Sequence, residues 1–204
     1  MPTKSNIALA SLSRRLPYIL IIGGLIALIC AFIIMLDKLN LLANPHFQPN
    51  CDLNPVISCG SVMASKQGAE FGFPNPIIGL AAFPVFITIG VSQLAGAQFK
   101  RWFWQGLNGG LLLATIFIHW LFFESVYVIH ALCPYCMAVW VMIITMFWYV
   151  TLYNLNEGNL KLPARFKPVS LFARNHHLEI LFVWLLIIAI LILHHFWYFY
   201  GKNL

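Results

Sequence analysis

Four cysteines in two pairs are the residues best suited to chemistry in this chain. Cys133-Pro134-Tyr135-Cys136 is a Cys-x-x-Cys motif set where an apolar run of membrane-spanning length begins. On a helix, positions i and i+3 share a face. Pro134 fits a first helical turn, where its missing N–H costs nothing. A helix N-terminus favours an anion, so a thiolate there is stabilised and made available for disulfide exchange. Two other readings of this pair stand beside that one: half of a zinc site, which would need two more His or Cys ligands, or two packed, inert thiols. Cys51 and Cys59 lie far upstream in a polar stretch. They can staple their loop with a structural disulfide, or exchange with the first pair. Cys30 sits inside an apolar run and reads as a buried, inert thiol.

The elements that must position these cysteines are set by composition. The chain has 204 residues, of which 61% are hydrophobic and 9% charged, and its mean hydropathy is +0.82. Soluble domains carry about 25% charged residues. So few charges cannot cover a globular surface, and lipid must be the solvent. The net charge of +6 points to membrane topology rather than nucleic acid.

Five stretches reach the roughly 20 apolar residues that cross a bilayer: 17–36, 76–94, 102–123, 131–153 and about 180–200. In lipid each backbone must satisfy its own hydrogen bonds, so these are helices. Pro84 is expected to kink the second. The first run is too long for a signal-peptide core and lacks a small-residue cleavage site, so it is expected to be retained. Lys4, Arg14, Arg15, Lys100, Arg101, Lys161, Arg165, Lys167 and Arg174 fall on one side, against Lys38, Lys66 and Lys202 on the other. The positive-inside rule then puts the N-terminus in the cytoplasm and the C-terminus outside. Both cysteine pairs fall on the outer side, which in bacteria is the oxidising one. The expected fold is an all-α membrane protein: a cytoplasmic tail (1–16), a four-helix core (17–153) with an extracytoplasmic cysteine loop (37–75), a cytoplasmic basic loop (154–177), and a fifth span with a short outer tail (178–204). Within the cysteine loop, Val56–Gly68 is expected to form a short helix at the interface.

Taken together, Cys51-Asp52, Ser58-Cys59, Ser65, Phe71-Gly72, Asn75, Gly79 and Cys133-Pro134-Tyr135-Cys136 resemble the vitamin K epoxide reductase family over about residues 17–153, in its bacterial, DsbB-like branch. The resemblance implies a four-helix bundle around a quinone, either ubiquinone or menaquinone. Cys133 and Cys136 match the pair beside the quinone, and Cys51 and Cys59 the shuttle pair. Ser65 matches a Ser or Thr of the family. Asn75 matches an Asn able to bond a quinone oxygen, while its plain reading is a helix N-cap. Trp140 is a departure, because vertebrate members carry a tyrosine there. Its indole N–H can donate to the quinone, or the ring can simply pack.

The resemblance also implies an activity: a disulfide-generating enzyme of the bacterial inner membrane that passes electrons from a thioredoxin-like protein to quinone. Many bacterial members continue into a fused thioredoxin domain. Here the sequence stops at Leu204, so a separate periplasmic DsbA-type partner is expected. The nearest alternative is a vitamin K epoxide reductase of the endoplasmic reticulum. A metal-handling transporter using the Cys and His residues is the rival from another class, although no metal site is expected. His119 and Glu124 can mark a proton path, or simply pack. His176-His177 and His194-His195 read as interfacial.

Overall fold

The computed structural model describes residues 4–160 and 163–201, and its regular elements are helical. Helix α1 spans Lys4–Ala43. Residues 4–16, expected as a tail, and 37–43, expected as loop, both continue this helix. No glycine or proline interrupts Leu36–Ala43, and leucine and alanine are strong helix formers. Asn44-Pro45 stops it, because a residue before proline is pushed out of the α region. The extension brings Asp37 and Lys38 onto helical faces.

After a short helix α2 (Cys59–Ala64) and a 3-10 turn (Lys66–Ala69) come α3 (Pro76–Leu94), α4 (Arg101–Phe123) and α5 (Pro134–Asn156). Helix α1 packs along α3 and α5, and α5 packs along α4. Small residues set the closest approach. A Cβ at Gly90 would stand 2.7 Å from the Pro17 carbonyl oxygen, and one at Gly24 would stand 2.8 Å from Ile87. Leu20 and Ala27 of α1, Leu111 of α4, and Ile144 and Val150 of α5 are fully buried in the shared core. The outer faces keep their leucines and isoleucines exposed, as lipid permits.

Three segments depart from the sequence reading. The expected turn after α4 is instead a π-helical turn, Glu124–Ile129, which prolongs the helix until His130 takes a left-handed conformation (φ 57°). Residues 154–177 are not simply a loop, because α6 (Lys167–Asn175) forms within them. The fifth apolar run is α7 (His177–His195), broken at Phe196 before a last turn α8 (Trp197–Tyr200). Five helices are long and apolar enough to cross a membrane. The first residues of the expected tail, Lys161 of the basic stretch, and Lys202–Leu204 lie outside the described residues.

Candidate active site

The loop before α2 is built by short polar side chains. Asn54 Oδ1 accepts from the backbone N–H groups of Val56 and Ile57 at 3.0 and 2.8 Å. Asp52 Oδ1 accepts from Gly60 N–H at 2.9 Å. Gly60 leaves room for this contact, since a Cβ there would lie 2.6 Å from the Asp52 carboxylate and push that side chain aside. Ser58 caps α2, its Oγ accepting from Ser61 N–H at 3.1 Å. These turns bring Cys51 and Cys59 together, and they form a disulfide with Cα atoms 5.7 Å apart.

A two-residue bridge then joins the loop to the segment before α5. Ile57 pairs with Leu132 in parallel fashion. Leu132 N–H donates to Val56 O at 2.7 Å, and Ser58 N–H donates to Leu132 O at 3.0 Å. Cys59 lies two residues beyond one partner, and Cys133 one residue beyond the other. Cys51, Cys59 and Cys133 consequently share one buried cluster with Ile34 and Met63, and Cys136 packs against it. Cys59 and Cys133 are each only 1% exposed.

Cys133 is the N-cap of α5, and its Sγ accepts from Cys136 N–H at 3.4 Å. Cys133 and Cys136 are free thiols. A hydrogen bond from the Cys136 thiol pulls the Cys133 thiol below its ordinary pKa, and the backbone N–H groups of Cys136 and Tyr135 add to the effect. Burial and the nearby Asp37 carboxylate oppose the shift without reversing it. Cys30 is a free, buried thiol of α1.

Cys136 also lines a cavity of about 600 Å³. The walls are mostly apolar and aromatic, with Phe71, Phe83, Phe86 and Phe117 among them, and Ser65, Asn75 and Trp140 line it too. Ser65 is committed to the backbone: its Oγ donates to Val62 O at 2.7 Å and accepts from Gly68 N–H at 3.2 Å. Asn75 occupies the N-cap position of α3 but makes no side-chain capping bond. The plain reading of Asn75 is therefore corrected. Its Nδ2 donates to Gln67 O at 2.6 Å and its Oδ1 accepts from Glu70 N–H at 3.2 Å, which pins the cavity wall. The second Nδ2 hydrogen stays available. Trp140, 5% exposed, stands edge-on to Phe122. Its indole N–H has no hydrogen-bond partner among the described residues. A flat, largely apolar ligand carrying carbonyl oxygens fits these walls and donors.

The family model of the vitamin K epoxide reductase family matches residues 18–151. The chain belongs to the vitamin K epoxide reductase family. A comparison with curated proteins returns no match. The family match runs from α1 through α5 and takes in both cysteine pairs and the cavity, while α6, α7 and α8 fall beyond it. Membership makes the protein a multi-pass membrane oxidoreductase.

Sequence reasoning passed over Lys38, Gln67 and Ser125 of this vitamin K epoxide reductase fold, all of which line the cavity. Lys38 was legible in principle, since Ala31, Ile34 and Lys38 follow helical spacing, but only if α1 is carried past Leu36. Gln67 Nε2 donates to Glu124 Oε2 at 3.0 Å, so Glu124 braces the wall. His119 does not line the cavity: Nδ1 lies 2.7 Å from Thr115 O, and Nε2 accepts from Trp184 Nε1–H of α7 at 3.1 Å. His195 meets His130 at 3.1 Å, and His177 meets the Tyr149 hydroxyl at 3.1 Å, so these histidines fasten α7 to the family core.

Proposed function

We propose that this protein is a quinone-dependent thiol-disulfide oxidoreductase of the bacterial inner membrane that generates disulfides in a separate periplasmic thioredoxin-fold protein. One observation carries the reading: Cys136 belongs at once to the cluster holding the Cys51–Cys59 disulfide and to the wall of the cavity. A sulfur in both places is what a relay between an outer thiol and an apolar acceptor requires.

A thiolate of the reduced partner attacks Cys51, and Cys59 leaves as a thiolate. Cys59 attacks Cys133 of the oxidised inner pair and frees the Cys136 sulfur against the cavity. The partner's second thiolate completes its own disulfide and releases Cys51, which re-pairs with Cys59 and frees Cys133. The inner pair then holds two electrons and two protons. Both pass to a ubiquinone or menaquinone substrate as the Cys133–Cys136 disulfide re-forms, giving one oxidised partner and one quinol.

The Cys133 environment supports its role, because a thiol with a lowered pKa is a good leaving group when Cys59 is recovered. Asn75 Nδ2 and Trp140 Nε1 are the donors assigned to the quinone oxygens, and Ser65 contributes to the wall. The test is turnover of purified protein with a reduced thioredoxin-fold partner and quinone, followed by quinone absorbance. Cys136→Ala is expected to abolish quinone consumption, and undiminished turnover in that variant sinks the proposal.

A further inference from the structure

Lys38 is the only charged side chain among the residues lining the cavity. It lies on the α1 face that also carries Ala31 and Ile34, both cavity-lining. Its Nζ donates to Met63 O at 2.6 Å, near the C-terminal end of the short helix that begins at Cys59. No carboxylate lies within ion-pair distance of it: the one ion pair among the described residues joins His176 and Glu179. The neighbouring Asp37 makes none, and Glu124 is engaged by Gln67. An ammonium with one carbonyl partner retains two N–H donors. A cation without a counter-ion beside an apolar cavity gains most when negative charge appears inside it.

We propose that Lys38 is a charge-stabilising residue for the quinone substrate, with its ammonium facing the oxygens that become anionic during reduction; this rests on the quinone-linked function proposed above. As the Cys133–Cys136 disulfide forms, two electrons leave the sulfurs and two thiol protons are released. The quinone takes up both electrons and both protons to become quinol. Electrons reach the oxygens before protonation is complete, and Lys38 holds the excess negative charge in that interval. No further oxidant or reductant enters the step. The Met63 contact adds geometry, because it fixes the lysine head at the cavity while tying down the helix that carries Cys59.

The test separates the charge from the contact. Lys38→Gln keeps a donor for the Met63 carbonyl and removes the charge, whereas Lys38→Arg keeps both. The expected results for Lys38→Gln are a fall in kcat of about 100-fold, the scale of losing one oxyanion donor, and a KM for quinone within about threefold of wild type. Lys38→Arg is expected to restore most of kcat. Single-turnover oxidation of the partner without quinone, which reads only the cysteine relay, stays unchanged in Lys38→Gln. Binding supplies an arm independent of turnover. A hydroxy-naphthoquinone ionised at neutral pH should lose roughly tenfold in affinity for Lys38→Gln, while neutral naphthoquinone binds as before. Equal loss for both probes, an equally slowed partner oxidation, or a kcat within twofold of wild type overturns the proposal. If wild type consumes no quinone, the enzymatic reading fails, and the two binding probes still decide the charge assignment of Lys38.

Discussion

At the residue scale, the decisive position is Cys133, which combines a helix N-cap with a thiol neighbour. Its thiolate receives hydrogen bonds from Cys136 and from two backbone N–H groups, and these outweigh burial. A thiol whose folded pKa lies below its unfolded value contributes stability that is complete above the ordinary thiol pKa. That contribution is lost as pH falls through the lowered folded value. In protein with the inner pair reduced, thiolate ultraviolet absorbance is therefore expected to rise at lower pH in wild type than in Cys133→Ser. Superimposable titration curves would contradict the assignment. The motif spacing made this thiol recognisable from sequence. The groups that lower its pKa, Cys136 and the N–H groups of Tyr135 and Cys136, lie within the motif, whereas the opposing burial and Asp37 carboxylate could not be read there, because only the fold brings them close.

At the element scale, His130 ends the π-helical turn and starts the short segment that carries Leu132 and Cys133. Its left-handed backbone costs an L-residue about 1–2 kcal/mol, and a β-branched residue has the least tolerance for it. The His195 ring stacks on it with centroids 5.3 Å apart, so α7 helps to hold the conformation. His130→Val is expected to lower the thermal stability of the detergent-solubilised protein and to slow exchange between Cys59 and Cys133. His130→Gly, which enters the left-handed region freely, should keep the exchange rate closer to wild type. Equal exchange rates in the two variants would remove the backbone argument. Helix boundaries were the weakest part of the sequence reading for a related reason. Apolar length marks where lipid begins and ends, whereas α1 and α4 continue past it until Asn44-Pro45 and His130 stop them.

At the scale of the whole molecule, the five apolar helices and the distribution of basic residues predict an N-terminus in the cytoplasm. The segment around α6 is then expected in the cytoplasm as well. Its exposed Val169 and Phe172 suit a bilayer surface, beside Lys167 and Arg174. A reporter active only in the periplasm should be silent when fused after Leu160 and active when fused after Leu204. The opposite pattern would invert the topology and place both cysteine pairs in the reducing compartment, which is incompatible with disulfide generation.

Composition and periodicity alone were enough for the membrane class, the five spans and the two cysteine pairs as redox candidates. These depend on local quantities: apolar length, charge density and the i, i+3 spacing of a helix. Ser65, Asn75 and Trp140 were legible as site candidates only through family resemblance, because nothing in their spacing links them. The tertiary structure brought them together with Cys136 around one cavity. It also showed that the Asn75 side chain braces the wall rather than capping α3, and it added Lys38 to the cavity by prolonging α1. The joining of the loop to α5 rests on a bridge between residues 57 and 132, distant in sequence. Contacts of that kind leave no periodic trace, and only packing of the whole bundle decides them.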